Sequence, residues 1–480
     1  MPSTQQSELA PAARRLILIN ACLGQFIAAV DARSVNIALP TLSTEFATTL
    51  EVVQWVPLSY QLTVIGLVLS LGRLGDMVGR KKIYTVGFVI FMTGSALCGL
   101  AGGIAPMVFF RVLEAIGGAM ILANGRAIVS AVFAGGSRGK ALGITSMAFH
   151  LGYIVGPSLG GFLIDSLGWR WIFFVNLPVA LAGAVMAWRV MQESVRAKGR
   201  FSIDLLGMAA LLCFAIFLVL GLNHAARYGF ELRTAGLFAL SAASLALFVF
   251  FERRAPEPLL DLSLFRKRLF AAGIVSLGLV SLSQTAIFFL LPFYLQGILS
   301  LSPTQVGLTL IFYSVVIVFV APIGGSLSDR FGSRLLCTVG CACTFVSILA
   351  MARLGPDSSR MGVIIPLMGM GLGWALFASP NLSALFGSVA ADRLGAVGGA
   401  TVTAANMANA MGIALASMLF VRWLDWNGVA ATGAANYKEW SQAPDAYLSA
   451  FHNSWMVFAA VAMLAVVTSA AGEGRGRSKR

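Results

Sequence analysis

Apolar residues fill this chain in runs of membrane-crossing length, separated by short clusters of charged and turn-forming residues. A helix rising 1.5 Å per residue needs about 20 mostly apolar residues to cross about 30 Å of hydrocarbon. Segments meeting that requirement lie near 16–40, 52–72, 83–103, 106–133, 141–164, 171–190, 205–223, 232–251, 270–292, 304–324, 335–354, 361–386, 395–420 and 452–472, fourteen in all. Runs such as Ile83 to Ala101 lack the period-two alternation of a membrane barrel strand and have helical length. The fold class predicted is an all-α membrane protein with fourteen transmembrane helices.

Composition agrees. With 58% hydrophobic and 11% charged residues and a mean hydropathy of +0.84, the chain is too apolar for a soluble protein of 480 residues. The net charge of +14 could suggest a nucleic-acid partner, but its placement excludes that reading. If the amino terminus is cytoplasmic, the cytoplasmic tails and loops carry the whole +14, as the positive-inside rule requires. The reverse orientation violates the rule. Both termini are therefore expected in the cytoplasm of a multi-pass protein of a bacterial inner membrane, with the lipid bilayer as partner. Met1 to Arg15 is short and polar without a small-residue cleavage site, so the first helix is expected to stay as a signal anchor. The six cysteines (22, 98, 213, 337, 341 and 343) fall inside apolar segments, which points to packing rather than a disulfide framework or a metal site.

One charged signature occurs twice: Gly72-Arg73-Leu74-Gly75-Asp76-Met77-Val78-Gly79-Arg80-Lys81 and Gly325-Ser326-Leu327-Ser328-Asp329-Arg330-Phe331-Gly332-Ser333-Arg334. Each copy sits between two membrane-length helices. A duplicated loop implies a duplicated bundle, and two similar halves around a central cavity are the usual build of a secondary transporter. Asp76 and Asp329 are 253 residues apart, whereas six helices with short loops need only about 180–190. The surplus of about 60–70 residues matches two inserted helices. The predicted organisation is a tail at 1–14, a six-helix bundle at 15–191, a linker with two further helices at 192–268, a second six-helix bundle at 269–472 and a basic tail at 473–480. No Gly-x-x-x-x-Gly-Lys-Ser/Thr loop occurs, and no soluble stretch could hold an ATPase domain. No enzyme activity and no cofactor are expected; a proton gradient would supply the energy.

In this arrangement the chain resembles the fourteen-helix drug:proton antiporter branch of the major facilitator superfamily. Besides the doubled loop, Arg111-Val-Leu-Glu-Ala-Ile-Gly-Gly-Ala119 in helix 4 is similar to that family's Arg-x-x-Gln-Gly-x-Gly pattern. Gly152-Tyr-Ile-Val-Gly156-Pro157-Ser-Leu-Gly160-Gly161 in helix 5 resembles its antiporter motif, and Asp31-Ala-Arg-Ser-Val-Asn-Ile-Ala-Leu-Pro40 resembles Asp-x-Thr-(apolar)-Val-Asn-x-Ala-Leu-Pro. Trp169 to Pro178 and Phe289 to Gln296 look like two further stretches of this branch. The resemblance implies export of small organic compounds, drugs or antibiotics among them, in exchange for protons, by a monomer. Alternatives are a dedicated exporter or flippase of an anionic or lipid-like metabolite and, further off, an uptake symporter or a non-transporting scaffold.

The residues themselves suggest how. Asp31 lies inside the first helix, where a carboxylate is costly unless paired, hydrated or protonated. It is the leading candidate for proton coupling or cation binding, and the resemblance gives the matching acid the same roles. Glu114 stands next, an i, i+3 neighbour of Arg111 that can neutralise it. His150 is either a proton relay or a packing histidine. Arg33, where the family pattern has Thr, is about 200° around the helix from Asp31, so the two cannot both face one cavity. It can snorkel to the membrane edge, meet a carboxylate on another helix or hold an anionic substrate; internal pairing, with export of cationic or neutral amphiphiles, is the expectation adopted. Arg126 reads as a buried charge without an identifiable partner.

Gly72 and Gly325 are expected where helices pack closely. Asp76 and Asp329 would approach helix amino termini and latch a cytoplasmic gate together with Gly79, Arg80, Gly332 and Arg334. The glycines around Pro157 would let helix 5 pack tightly, and the proline would break its hydrogen-bond ladder. Candidate cavity-lining side chains are Asn36, Tyr60, Gln61, Gln284, Phe288, Gln296, Tyr313, Asn381, Asn406 and Asn409.

Overall fold

The computed structural model describes residues 11–133, 138–191, 204–255, 260, 262–389, 394–429 and 444–471. Among them, the regular structure is helical throughout. Fourteen long helices follow one another: α1 (Pro11–Glu45), α2 (Trp55–Val78), α3 (Arg80–Gly99), α4 (Ile104–Val132), α5 (Arg138–Leu167), α6 (Asn176–Val190), α7 (Leu205–Tyr228), α8 (Leu232–Arg254), α9 (Arg268–Gly297), α10 (Pro303–Phe331), α11 (Ser333–Met351), α12 (Arg360–Gly387), α13 (Leu394–Trp426) and α14 (Pro444–Ala471). Single turns at Leu50–Val53 and Trp171–Phe174 lead into α2 and α6. The second span is bent by 49° between Leu50–Val68 and Ser70–Val78.

The helix junctions follow local chemistry. Ser302 and Gln305 close a capping box ahead of Pro303 at the start of α10, and Ser359 accepts from the Gly362 amide at the start of α12. Between α2 and α3 the connection is one residue, Gly79 at φ +122°; between α10 and α11 it is Gly332 at φ +84°. A side chain is strained in that region of backbone space, so each copy of the signature needs its last glycine for the turn itself. Gly72 and Gly325 turn out not to be the close-approach positions. A Cβ at Gly72 would meet only Ala123 at 3.7 Å and one at Gly325 only Ser379 at 3.4 Å, ordinary contacts. The tight spots are their neighbours: a Cβ at Gly75 would overlap Asn124, and one at Gly324 would come within 3.0 Å of the Ala375 carbonyl.

Packing reproduces the sequence duplication. In the first half α3 packs on α4, α2 on α4, α1 on α5 and α3 on α6; in the second α11 packs on α12, α10 on α12, α9 on α13 and α11 on α14. The halves meet along two seams, α5 with α10 and α2 with α13, which exchange under the same correspondence. Of the inserted pair, α7 packs on α13 and α2, covering one seam, and α8 packs on α7. Gln54 donates to Asn223 at 2.8 Å there, and Ser70 donates to the Met208 sulfur at 3.0 Å.

Candidate functional site

Charges inside the first bundle converge on one point. Arg111 of α4 donates through Nη1 to both oxygens of Asp31 on α1, at 3.0 and 2.8 Å, and to Oε2 of Glu114 at 2.8 Å. Arg111 is 1% exposed, and Asp31 and Glu114 are fully buried. The i, i+3 pair read from the sequence is present, and Asp31 joins it from 80 residues away. Asn176 of α6 donates to Asp31 at 3.3 Å and to Ser95 at 3.1 Å, and the Cys98 thiol lies 3.6 Å from Glu114 Oε2. The guanidinium carbon stands 4.5 Å from the Tyr60 ring centroid. Two carboxylates thus share one guanidinium in the buried interior of the first bundle. With both ionised the cluster carries one net negative charge; one proton makes it neutral.

Between the two halves runs a cavity of about 940 Å³. It extends from Arg33 past Arg126 to Gly72, Arg73, Asp76 and Arg80, so it opens at the end of the molecule that carries the duplicated loops. The opposite end is shut. There Gly161 faces Pro303, Gly307 faces Pro157, Thr304 N donates to Asp165 at 2.8 Å, and Gln296 Nε2 donates to the Ile37 carbonyl at 3.2 Å. Apolar side chains of both halves, Ile37, Leu39, Phe289 and Phe293 among them, form one cluster at that end.

Asp31 and Arg33 separate as the helical geometry requires: Asp31 turns into the first bundle and Arg33 into the cavity. The expected carboxylate partner of Arg33 is not found among the described residues. Its guanidinium carbon instead lies 4.1 Å from the Tyr153 ring centroid and 4.6 Å from that of Phe288. Nor is Arg126 a buried, partnerless charge. It is exposed on the cavity and lies 3.4 Å from Gln25 Oε1.

Of the cavity-lining candidates, Gln284, Tyr313, Asn406 and Asn409 line it. Tyr313 donates to Gln284 Oε1 at 2.7 Å, and Thr285 donates to Asn409 at 2.7 Å. Phe288 packs against Arg33 and, edge-to-face, against Tyr313. Tyr60 belongs to the charge cluster, Gln296 to the shut end and Asn381 to the α9–α12 contact, where it donates to the Gly273 carbonyl at 3.2 Å; Asn36 and Gln61 do not reach the cavity wall. The side chains of His150 and Asp329 lie outside what the structure describes. Phe149, Trp374 and Phe386, which sequence reasoning passed over, also line the cavity; hydropathy alone does not distinguish a cavity face from a lipid face.

At the mouth, Asp76 pairs with Arg80 at 2.6 Å, and Arg80 also donates to the Ala127 carbonyl at 3.2 Å. Arg334 is exposed. In α5, Gly152, Gly156 and Gly160 lie against α1: a Cβ at each would come within 2.6–2.9 Å of the Phe26 carbonyl, Arg33 Cβ and Ser34 Cα respectively. Ser34 donates to the Gly156 carbonyl at 2.9 Å. The helix continues through Pro157.

A duplicated six-helix bundle with a central cavity closed at one end and a buried ionic cluster beside it defines a membrane transport protein. The chain belongs to the Major Facilitator Superfamily, whose pattern it matches over residues 21–417. It is 30% identical over 452 residues to the riboflavin transporter RibZ of Clostridioides difficile, covering 94% of this chain and 96% of that one. It is 31% identical to the multidrug resistance protein Stp of Mycobacterium tuberculosis, over 85% of this chain and 76% of that one, and 30% identical to the tetracenomycin C resistance and export protein of Streptomyces glaucescens, over 84% and 75%. The fold is shared with a bacterial homologue of the human lysosomal transporter Spinster in its inward-facing, unoccupied conformation, with a TM-score of 0.71 at 17% identity over 97% of this chain and 98% of that one. Like these relatives, the chain is a transporter and not an enzyme.

Proposed function

We propose that the protein exports amphiphilic organic compounds in exchange for protons, as a monomer in the cytoplasmic membrane of a bacterium, with both termini in the cytoplasm and no cofactor. The observation that carries this reading is the cluster of two carboxylates on one guanidinium, buried beside the cavity. Two carboxylates against one guanidinium leave one carboxylate without a counter-charge of its own, and Glu114 Oε1 has no hydrogen-bond partner, so a transported proton has a place to sit. Exchange with water requires the cluster to open, and the same rearrangement would move the cavity from one face to the other. The names of three relatives support export or transport of small organic compounds. The positively charged loops support a cavity open toward the cytoplasm, where an exporter loads.

The test uses purified protein in liposomes, oriented by labelling single cysteines introduced at Asn427 and Arg334 with an impermeant maleimide. Dye accumulation should follow an imposed pH gradient and collapse with a protonophore. Accumulation indifferent to the protonophore would refute proton coupling. In whole cells, labelling of Arg334→Cys but not Asn427→Cys from outside would overturn the orientation.

A further inference from the structure

Among the described residues of the cavity wall, Arg80 engages the Asp76 carboxylate at the mouth, whereas Arg33 and Arg126 make no ion pair. Arg33 rests on two aromatic rings and Arg126 on a glutamine oxygen. Nearby donors are also unspent. Gln284 is 6% exposed, its oxygen is taken by Tyr313, and its Nε2 has no hydrogen-bond partner. Ser281 Oγ, on the same wall, has none either. The two carboxylates that would attract a cation, Asp31 and Glu114, are fully buried and turned onto Arg111. Among the described residues the wall thus offers the cations Arg33 and Arg126 and unspent donors without a free anion, beside the rings of Tyr153, Phe149 and Trp374.

From this we infer that the cavity binds an aromatic organic anion, its carboxylate, sulfonate or phosphate held by Arg33 and Arg126 and its ring system lying on the aromatic wall. The inference rests on the export reading and narrows its substrate class. A cation would meet two unneutralised guanidinium groups, and a like-charge juxtaposition discriminates against the wrong partner as effectively as contacts favour the right one. The volume of about 940 Å³ suits a drug-sized molecule.

Fluorescein and rhodamine 123 test this, because they share one tricyclic scaffold and differ in sign. Binding to the protein in lipid nanodiscs is followed by fluorescence anisotropy for the parent, Arg33→Gln, Arg126→Gln and the charge-keeping Arg33→Lys and Arg126→Lys. Fluorescein should bind the parent at least about 10-fold tighter than rhodamine 123, a difference of about 1.4 kcal/mol. Each glutamine variant should weaken fluorescein about 10-fold while leaving rhodamine 123 unchanged or tighter, and each lysine variant should keep most of the fluorescein affinity. Preference for rhodamine 123, fluorescein affinity indifferent to both glutamine variants, or binding of neither dye would overturn the inference. Fluorescein that binds in this pattern but is not moved by an imposed pH gradient would uphold the site and count against proton-driven export. Gradient-driven movement of rhodamine 123 alone would do the reverse.

Discussion

Asp31→Asn should separate transport from its driving force. The replacement keeps the shape of the side chain, an oxygen for Arg111 to donate to and the neighbourhood of Asn176, but removes one negative charge from a cluster that has two against one positive. Arg111 and Glu114, 2.8 Å apart, are then neutral as a pair without a proton. At an effective dielectric of 20, a charge pair at this distance is worth about 6 kcal/mol gross, so the remaining pair holds together. The net loss should be about 1.5–3 kcal/mol, that of one hydrogen bond to a charged group, and the protein should fold and insert. The driving force is another matter. A two-unit pH gradient is worth about 2.7 kcal/mol per proton, which for one proton per substrate supports an accumulation ratio of about 100. With no proton required for closure, Asp31→Asn should bring that ratio to about 1 while substrate exchange across ungraded membranes persists. The assay compares gradient-driven dye uptake with dye exchange in the same proteoliposomes. Gradient-driven uptake at the parent level in both Asp31→Asn and Glu114→Gln would refute the reasoning, because neither carboxylate would then carry the coupled proton.

Arg111→Met should be far more damaging than either carboxylate change, since it strands two buried carboxylates at a cost of about 3–5 kcal/mol; thermal unfolding in detergent should show a large loss, largely restored by combining it with Asp31→Asn and Glu114→Gln, and no such rescue would argue against a closed ionic cluster. Gly307→Ala should favour the opposite conformation. A Cβ at Gly307 would press on the Pro157 carbonyl and lie 2.9 Å from Ser158 Cα at the shut end, and overpacking of this kind costs about 1–3 kcal/mol, a shift of about 5- to 150-fold in the balance between conformations. A cysteine at Gln296, buried behind that seam, should label correspondingly faster in Gly307→Ala; an unchanged rate would sink the idea that the seam closes the cavity.

Helix number and the duplicated architecture were legible in the sequence, because run length and a repeated local motif are one-dimensional signals. Even so, α1 runs from Pro11 to Glu45, well beyond the apolar segment at 16–40, since a helix continues where hydropathy falls. The Arg111–Glu114 pair was legible for the same reason: i, i+3 is a local spacing. The bond from Asp31 to Arg111 was not, because nothing in a single chain says that positions 80 residues apart meet. Arg33 shows the limit most clearly. Internal pairing was the expectation, whereas Arg33 rests on two rings from α5 and α9; Phe288 was named as a cavity candidate, but nothing in the sequence tied it or Tyr153 to Arg33. Arg126 was misread because a cavity wall and a buried helix face have the same hydropathy.

The proposed coupling has to work across α1, and the packing of that helix indicates how. Asp31 and Arg33 are two residues apart on a rigid helix but on opposite sides, one in the ionic cluster and one in the cavity. A proton and a substrate therefore need not compete for the same atoms. Between them, Gly152, Gly156 and Gly160 bring α5 against α1 at backbone distance, and the Gly156 position abuts Arg33 itself. The next residues of α5, Pro157 and Gly161, form the seam with α10 that shuts the cavity. Opening that seam moves α5, and contacts this close leave α1 little freedom to stay behind, because packed interfaces shift between discrete arrangements rather than deforming smoothly. Moving α1 in turn alters both the Asp31–Arg111 bond and the placement of Arg33 between Tyr153 and Phe288. On this reading the glycines of α5 serve less to make that helix flexible than to fasten the proton site, the substrate site and the closing seam to one another.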